Sequence, residues 1–166
     1  MPIIQASEIH YMDVMFLLRR CVEDMNQQDM FNWNHSYPSP LMILEDIRSG
    51  NLYLSMERGV CQGMIVLNES ISDEYRDIEW NTKNERVLIV HRLAVNPLFQ
   101  GKGIGKKIME FASEHARNSG YSAIWLDVIE TNLAANNLYK GMGFTKTGEF
   151  HFQFQKSPFI CYELSL

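Results

Sequence analysis

Two stretches of this 166-residue sequence carry residue types and spacings suited to chemistry. The first runs Leu93-Ala94-Val95-Asn96-Pro97-Leu98-Phe99-Gln100-Gly101-Lys102-Gly103-Ile104-Gly105-Lys106, an apolar segment that breaks into a glycine loop. Glycines let the backbone approach a ligand closely. Free N–H groups at a helix start converge on one point, which the helix dipole makes favourable for an anion. Lys102 and Lys106 add positive charge, so the expected occupant is a phosphate group. The spacing matches neither of two common phosphate loops. G-x-x-x-x-G-K-[S/T] needs Ser or Thr after the lysine, where Lys107 follows Lys106, and G-x-G-x-x-G is replaced by G-x-G-x-G.

The second stretch runs Asp127-Val128-Ile129-Glu130-Thr131-Asn132-Leu133-Ala134-Ala135-Asn136-Asn137-Leu138-Tyr139-Lys140-Gly141-Met142-Gly143-Phe144. Asn132 suits a helix cap, and Tyr139 falls two turns later on the same helix face.

The elements that must position these residues follow from hydrophobic period and breakers. Ile3 and Ile4 predict a short first strand. Val14, Leu17, Leu18, Cys21, Val22 and Met25 predict a helix over Ser7 to about Gln27. Ser39-Pro40 caps a second, short helix ending at Gly50, and Arg58-Gly59 joins two antiparallel strands, Leu52–Leu54 and Gly63–Leu67. The apolar run Val87–Val90, continued through His91 and Arg92 to Val95, reads as a central strand. Ile104, Ile108, Phe111 and Ala112 mark a helix closing at Gly120, followed by the strand Ala123–Val128. Strand, glycine loop, helix and strand form a β-α-β unit. A helix from Asn132 to about Gly141 and strands around Phe144–Phe150 and Phe159–Leu164 complete an α/β domain.

On these residues the chain resembles the GNAT superfamily of acetyl-CoA-dependent N-acetyltransferases. Gln100, Gly103 and Gly105 fill its Q/R-x-x-G-x-G/A signature, and the second stretch is similar to its N-x-A-A-x-x-L-Y-x-x-x-G-F motif. Two motifs in the right order cover roughly the C-terminal half. The resemblance implies a mixed, mostly antiparallel sheet of about seven strands flanked by about four helices. It also implies that the strand ending at Val95 and the strand containing Trp125 splay apart around acetyl-CoA. The pantetheine arm would then follow Leu93, Ala94 and Val95. Gln100, Gly101, Lys102, Gly103, Ile104, Gly105 and Lys106 would take the pyrophosphate, and Asn132, Asn136 and Tyr139 would complete the cofactor contacts. Tyr139 would protonate the departing thiolate, with direct attack by an amine in a ternary complex. The base stays open among His91, Asp127 and Glu79. The glutamate that histone-type members carry on the central strand is Ile89 here, which departs from that arrangement. Acceptor contacts are expected from Phe31 to Tyr37 and from Glu69 to Arg86, with Trp33, Tyr37, Tyr75 and Trp80 as walls and Asp73, Glu74, Asp77 and Glu79 as attraction for a cation; the alternative is a solvated loop with its aromatics tucked underneath. The competing class is a non-catalytic acyl-CoA-binding module, and an acid at Tyr139 favours the enzyme.

Composition sets outer bounds. A 46% hydrophobic and 21% charged chain of this length is an ordinary globule, read as one domain over 1–166. Net charge −5 argues against nucleic acid as a partner. No basic or long apolar stretch opens the sequence, which predicts a cytoplasmic protein without membrane spans. Cys21, Cys61 and Cys161 lie far apart without metal-ligand spacing, so buried reduced thiols and no metal are expected. The alternation His151-Phe152-Gln153-Phe154 offers an apolar face for a possible homodimer.

Overall fold

The computed structural model describes residues 2–153 and 155–166. Its elements are β1 (Ile3–Gln5), α1 (Tyr11–Gln27), α2 (Pro40–Arg48), β2 (Leu52–Glu57), β3 (Val60–Asn68), β4 (Val87–Val95), α3 (Ile104–Asn118), β5 (Ala123–Ile129), α4 (Leu133–Gly141), β6 (Thr145–Phe150) and β7 (Phe159–Ser165). The strands form one seven-stranded sheet in the order β1-β2-β3-β4-β5-β7-β6. Pairing is antiparallel for β1/β2, β2/β3, β5/β7 and β6/β7, and parallel for β4/β5. This is the expected mixed sheet with its helices. The parallel ladder joins Val87 to Ala123, Leu88 to Ile124 and Ile89 to Trp125, while β4 runs on to Val95 and β5 to Ile129.

The single domain expected over 1–166 is organised as two compact units. One contains Met1–Leu67 and Arg92–Phe111, the other Asn68–His91 and Ala112–Leu166. Neither is contiguous in sequence, so no linker signal marks them.

In the first unit, Val14, Leu17, Leu18, Cys21 and Val22 bury one stripe of α1, as the period requires. They pack with Ile43, Leu52, Leu54, Met64, Val66 and Ala94. Helix α2 starts where Ser39 Oγ accepts from Met42 N at 3.2 Å with Pro40 at the first helical position. The β2/β3 turn needs left-handed backbone at both loop residues, and Arg58 and Gly59 supply it with φ of 50° and 76°. Gly63 on β3 admits a close approach: a Cβ there would lie 2.7 Å from Ile108 Cδ1 and 2.9 Å from the Ala94 carbonyl oxygen. Arg92 and Asp46 form a buried ion pair.

In the second unit, the polar stretch between β3 and β4 is a strap laid on the sheet. Tyr75, Ile78 and Trp80 are buried and pack with Val87, Ile89, Ala123, Trp125 and Cys161. Trp80 stacks on Trp125 with centroids 4.1 Å apart and planes 9° from parallel. Glu163 on β7, 1% exposed, ties the strap down. Its carboxylate accepts from Asn81 N at 2.8 Å, Thr82 N at 3.2 Å, the Thr82 hydroxyl and Trp125 Nε1 at 2.9 Å. Four donors converge on one carboxylate, which satisfies the buried acceptor oxygens.

Candidate functional site

The glycine loop lies in the first unit. Pro97–Phe99 form a single 3-10 turn, capped by Asn96 Oδ1 accepting from Leu98 N at 3.1 Å. Gly101 and Gly103 then take φ of 75° and 80°, backbone that side-chain-bearing residues disfavour. A Cβ on either would meet no atom within 4 Å, so conformation rather than packing requires glycine, and the loop's outer surface is open. Gly101, Lys102, Gly103 and Lys106 are exposed, Ile104 is buried and Gly105 half-buried. Helix α3 begins at Ile104, and its first N–H groups are those a helix leaves unpaired.

Two lysines flank that point: Lys102 lies over the Phe99 ring at 5.3 Å, and Lys106 is 4.0 Å from Glu110. Leu93 and Val95 are half-buried and alternate with buried Arg92 and Ala94. The carbonyl of Val95, a residue expected to border the pantetheine arm, accepts from Gln100 Nε2 at 3.1 Å and from the Cys21 thiol at 3.4 Å. Gln100 thus closes the loop onto the strand that leads into it.

The second unit brings Asp127, Tyr139, Tyr75 and Cys161 close enough for their ionisations to interact. Asn132 caps α4, its Oδ1 accepting from Ala135 N at 3.1 Å, so the capping half of its expected role is in place. Asn136, expected among the cofactor contacts, is buried and engaged inside the unit instead. Its Nδ2 donates to Asn132 O at 2.8 Å and Ile129 O at 3.1 Å, and its Oδ1 accepts from Tyr162 Oη at 2.7 Å. These bonds fix the start of α4 against the end of β5. Tyr139 is 5% exposed, its ring 5.7 Å from Phe144 and 5.9 Å from Tyr162. Burial, with the Asp127 charge adding to it, raises the Tyr139 pKa well above that of an ordinary phenol.

Asp127 is half-buried on β5 and accepts a 2.6 Å hydrogen bond from Tyr75 Oη at Oδ2. Burial pushes its carboxyl up to about 6; Tyr75's hydrogen bond pulls it down and the Glu74 charge pushes it up. His91 Nε2 bonds Asn68 Oδ1. Glu79 faces solvent and pairs with Lys83 at 3.6 Å. The three cysteines are free and buried, with Cys21 and Cys161 raised to about 12, chiefly by burial. Their burial is as expected, and it disfavours the reactive thiolate.

The acceptor candidates separate. Tyr75 and Trp80 are core residues of the second unit and not the open walls their composition suggested, because Glu163 and Trp125 hold the strap down. In the first unit Trp33 is half-buried against the core and Tyr37 is 39% exposed. Next to them, α1 and the following loop enclose a pocket of about 300 Å³ lined by Met12, Met15, Phe16, Arg19, Asn34 and His35. Sequence reasoning missed Glu163 and the pairing of Tyr75 with Asp127. A lone acidic residue within the apolar run Phe159-Ile160-Cys161-Tyr162-Glu163-Leu164 was the available signal for Glu163. Among the described residues no group of three or more His, Cys, Asp or Glu could hold a metal, and no helix is long and apolar enough to cross a membrane.

Comparison with known proteins agrees with this architecture. The chain is 37% identical over 71 residues to human N-acetyltransferase 8B, covering 43% of this chain and 31% of that one. It spans less than half the length of the curated relatives it matches. An acetyltransferase of the GNAT family from Streptococcus agalactiae superimposes with a TM-score of 0.83 at 18% identity, over 99% of this chain and 95% of the other. The protein yncA from Salmonella typhimurium, solved with its cofactor acetyl-CoA, gives 0.75 at 20% identity, over 100% and 94%. The model of the acetyltransferase (GNAT) family matches residues 18–144, from within α1 to the residue before β6. With that match over most of the chain and the fold to go with it, the chain belongs to the acetyltransferase (GNAT) family.

Proposed function

We propose that the protein binds acetyl-CoA and transfers its acetyl group to the nitrogen of an amine, directly and without a covalent enzyme intermediate. The observation that carries this is the open glycine loop at the start of α3, where positive-φ glycines, unpaired helix N–H groups and two lysines meet. The loop from Gln100 to Lys106 would take the pyrophosphate, Leu93 to Val95 would border the pantetheine arm, and the Asn132 amide would contact it. The family membership, the bound acetyl-CoA of yncA and the N-acetyltransferase names of the relatives support the same assignment.

Tyr139 supplies the proton for the departing thiolate. Its raised pKa keeps it protonated at neutral pH but opposes release of a free tyrosinate. The proton therefore passes to sulfur as the attacking nitrogen gives one up, and Tyr139 ends as it began. Cysteine plays no part, because all three thiols are buried and unactivated. The acceptor lies along Trp33, Tyr37 and the pocket beside α1. A homodimer through β6 and the 41% exposed Phe152 also fits, with sedimentation as its test; Phe154 lies outside the described residues. A cytoplasmic setting suits reduced thiols.

Gly103→Glu tests the cofactor site by placing a carboxylate where the pyrophosphate belongs. Gly120→Glu is the control, since Gly120 has a similar φ of 78° and equally open surroundings. Calorimetry should show lost acetyl-CoA binding only in the first variant, and equal affinities would remove the assignment. Tyr139→Phe keeps the ring and deletes the hydroxyl. Single-turnover acetyl transfer should slow by about 10²–10⁴-fold with acetyl-CoA affinity unchanged, whereas a purely packing role for Tyr139 predicts no slowing.

A further inference from the structure

Helix α4 is nine residues long, and Tyr139 stands in its last turn. A helix of that length does not hold itself together, so its setting comes from what it is tied to. The Tyr139 ring is placed by two neighbours, Phe144 with centroids 5.7 Å away and Tyr162 with centroids 5.9 Å away.

Tyr162 acts on the helix twice. Its ring packs on Tyr139, and its hydroxyl donates at 2.7 Å to Asn136 Oδ1, one turn before Tyr139 on the same helix face. Asn136 Nδ2 in turn donates to Ile129 O at 3.1 Å and to Asn132 O at 2.8 Å. Ile129 ends β5, and Tyr162 lies on β7, opposite Leu126 of β5. One asparagine therefore ties the helix to two strands at once. Tyr162 is 1% exposed and Asn136 7%. Apolar side chains at both positions would fill that space with no polar atoms to satisfy. A buried polar pair is instead satisfied in one arrangement and penalised in others, so it selects a single rotation of α4 on the sheet.

We infer that Asn136 and Tyr162 are positioning residues for Tyr139: their hydrogen bond fixes the rotation of α4 from which Tyr139 delivers its proton to the departing thiolate. The inference rests on the acid role proposed above for Tyr139. It gives a purpose to the inward turn of Asn136. A tyrosine hydroxyl stands at the end of a long rigid side chain, so a small rotation of the helix becomes a large displacement there. A misplacement of about 1 Å at a reacting group costs on the order of 100-fold in rate. Neither positioning residue exchanges a proton; the proton passes from Tyr139 to sulfur as before.

Tyr162→Phe removes one oxygen and keeps the ring. Release of CoA from acetyl-CoA is followed in single turnovers, with hydroxylamine as a small surrogate acceptor. The variant should be slower by about 10- to 100-fold, with acetyl-CoA affinity by calorimetry unchanged. Asn136→Ala breaks the same bond from the helix side and should match it. The decisive comparison is made in the Tyr139→Phe background, where no acid is left to misplace. There each change should alter the rate by less than about twofold. A general loosening of the fold would slow both backgrounds alike, and that result overturns the inference.

The outcomes also separate the inference from the reading beneath it. A slow Tyr139→Phe beside an unimpaired Tyr162→Phe and Asn136→Ala overturns the positioning role alone. A wild type no faster than Tyr139→Phe removes the acid role and the positioning role with it. NMR of the wild-type protein needs no variant to fold. A Tyr139 ring held by this network gives separate signals from its two edges, and a single averaged set removes the inference.

Discussion

The stretches Glu69–Arg86 and Phe31–Tyr37 are both polar and rich in aromatics. Yet Tyr75, Ile78 and Trp80 of the first are buried, while Phe31 and Tyr37 of the second are 57% and 39% exposed. The difference lies in what holds each. The Phe31–Tyr37 loop is kept by local bonds: Asn34 Oδ1 accepts from Ser36 N at 2.7 Å and Tyr37 N at 3.0 Å, which shapes a turn without burying it. The strap is held by partners far along the chain, Trp125 by stacking and Glu163 by four hydrogen bonds. Composition alone therefore does not separate an open loop from a structural strap; a distant buried acceptor does.

Removing that acceptor should have the largest effect. Glu163→Ala removes the acceptor of the part-buried Asn81 and Thr82 donors and of the buried Trp125 indole, and should cost about 3–5 kcal/mol in denaturant unfolding. A loss below about 1 kcal/mol would show that aromatic stacking alone holds the strap.

The next effect has the opposite sign. Asp127's folded pKa of about 6 lies above the ordinary 3.8, so the native state binds the extra proton. Its contribution therefore costs nothing below about pH 4 and grows as pH rises to 6. Asp127→Asn removes that cost, and should add up to roughly 3 kcal/mol of stability at pH 8 and nothing at pH 4. Equal unfolding free energies of wild type and variant at pH 8 would mean the carboxylate is not held at a cost.

The smallest effects belong to the open loop. Phe31→Ala and Tyr37→Ala should each change stability by less than about 0.5 kcal/mol. If the acceptor lies there, KM for the amine rises in these variants with kcat little changed. Cooperative destabilisation of Tyr37→Ala in a thermal melt would place the loop in the same class as the strap and erase the contrast.

Much of the fold was legible from local signals. The α1 stripe, the Ser39-Pro40 start, the Arg58-Gly59 turn and the β-α-β unit around Gly101 to Gly105 each depend on residues a few positions apart. The half-site on α4 was partly legible: Asn132 caps as expected, but Asn136 turned inward because Tyr162 and the end of β5 offer it partners that no local pattern reveals. The strap was left open between a pocket wall and a solvated loop with aromatics tucked underneath, and the structure has the second. Asp73, Glu74, Asp77 and Glu79, expected as attraction for a cation or as part of a solvated loop, do face solvent. The three buried residues between them are set by Glu163 and Trp125, whose relation to the strap exists only in three dimensions.

Glu163 also orders events in time. It stands 81 residues downstream of Thr82, so a ribosome adding about 5–20 residues per second needs roughly 4–16 s after making the strap before its anchor exists. Through that interval Tyr75, Ile78 and Trp80 are on a growing chain without the carboxylate that ties their strap down. The nascent polypeptide presents an aromatic segment that chaperones can grip, and the Tyr75–Asp127 pair cannot be secured until β7 has been synthesised and slotted between β5 and β6.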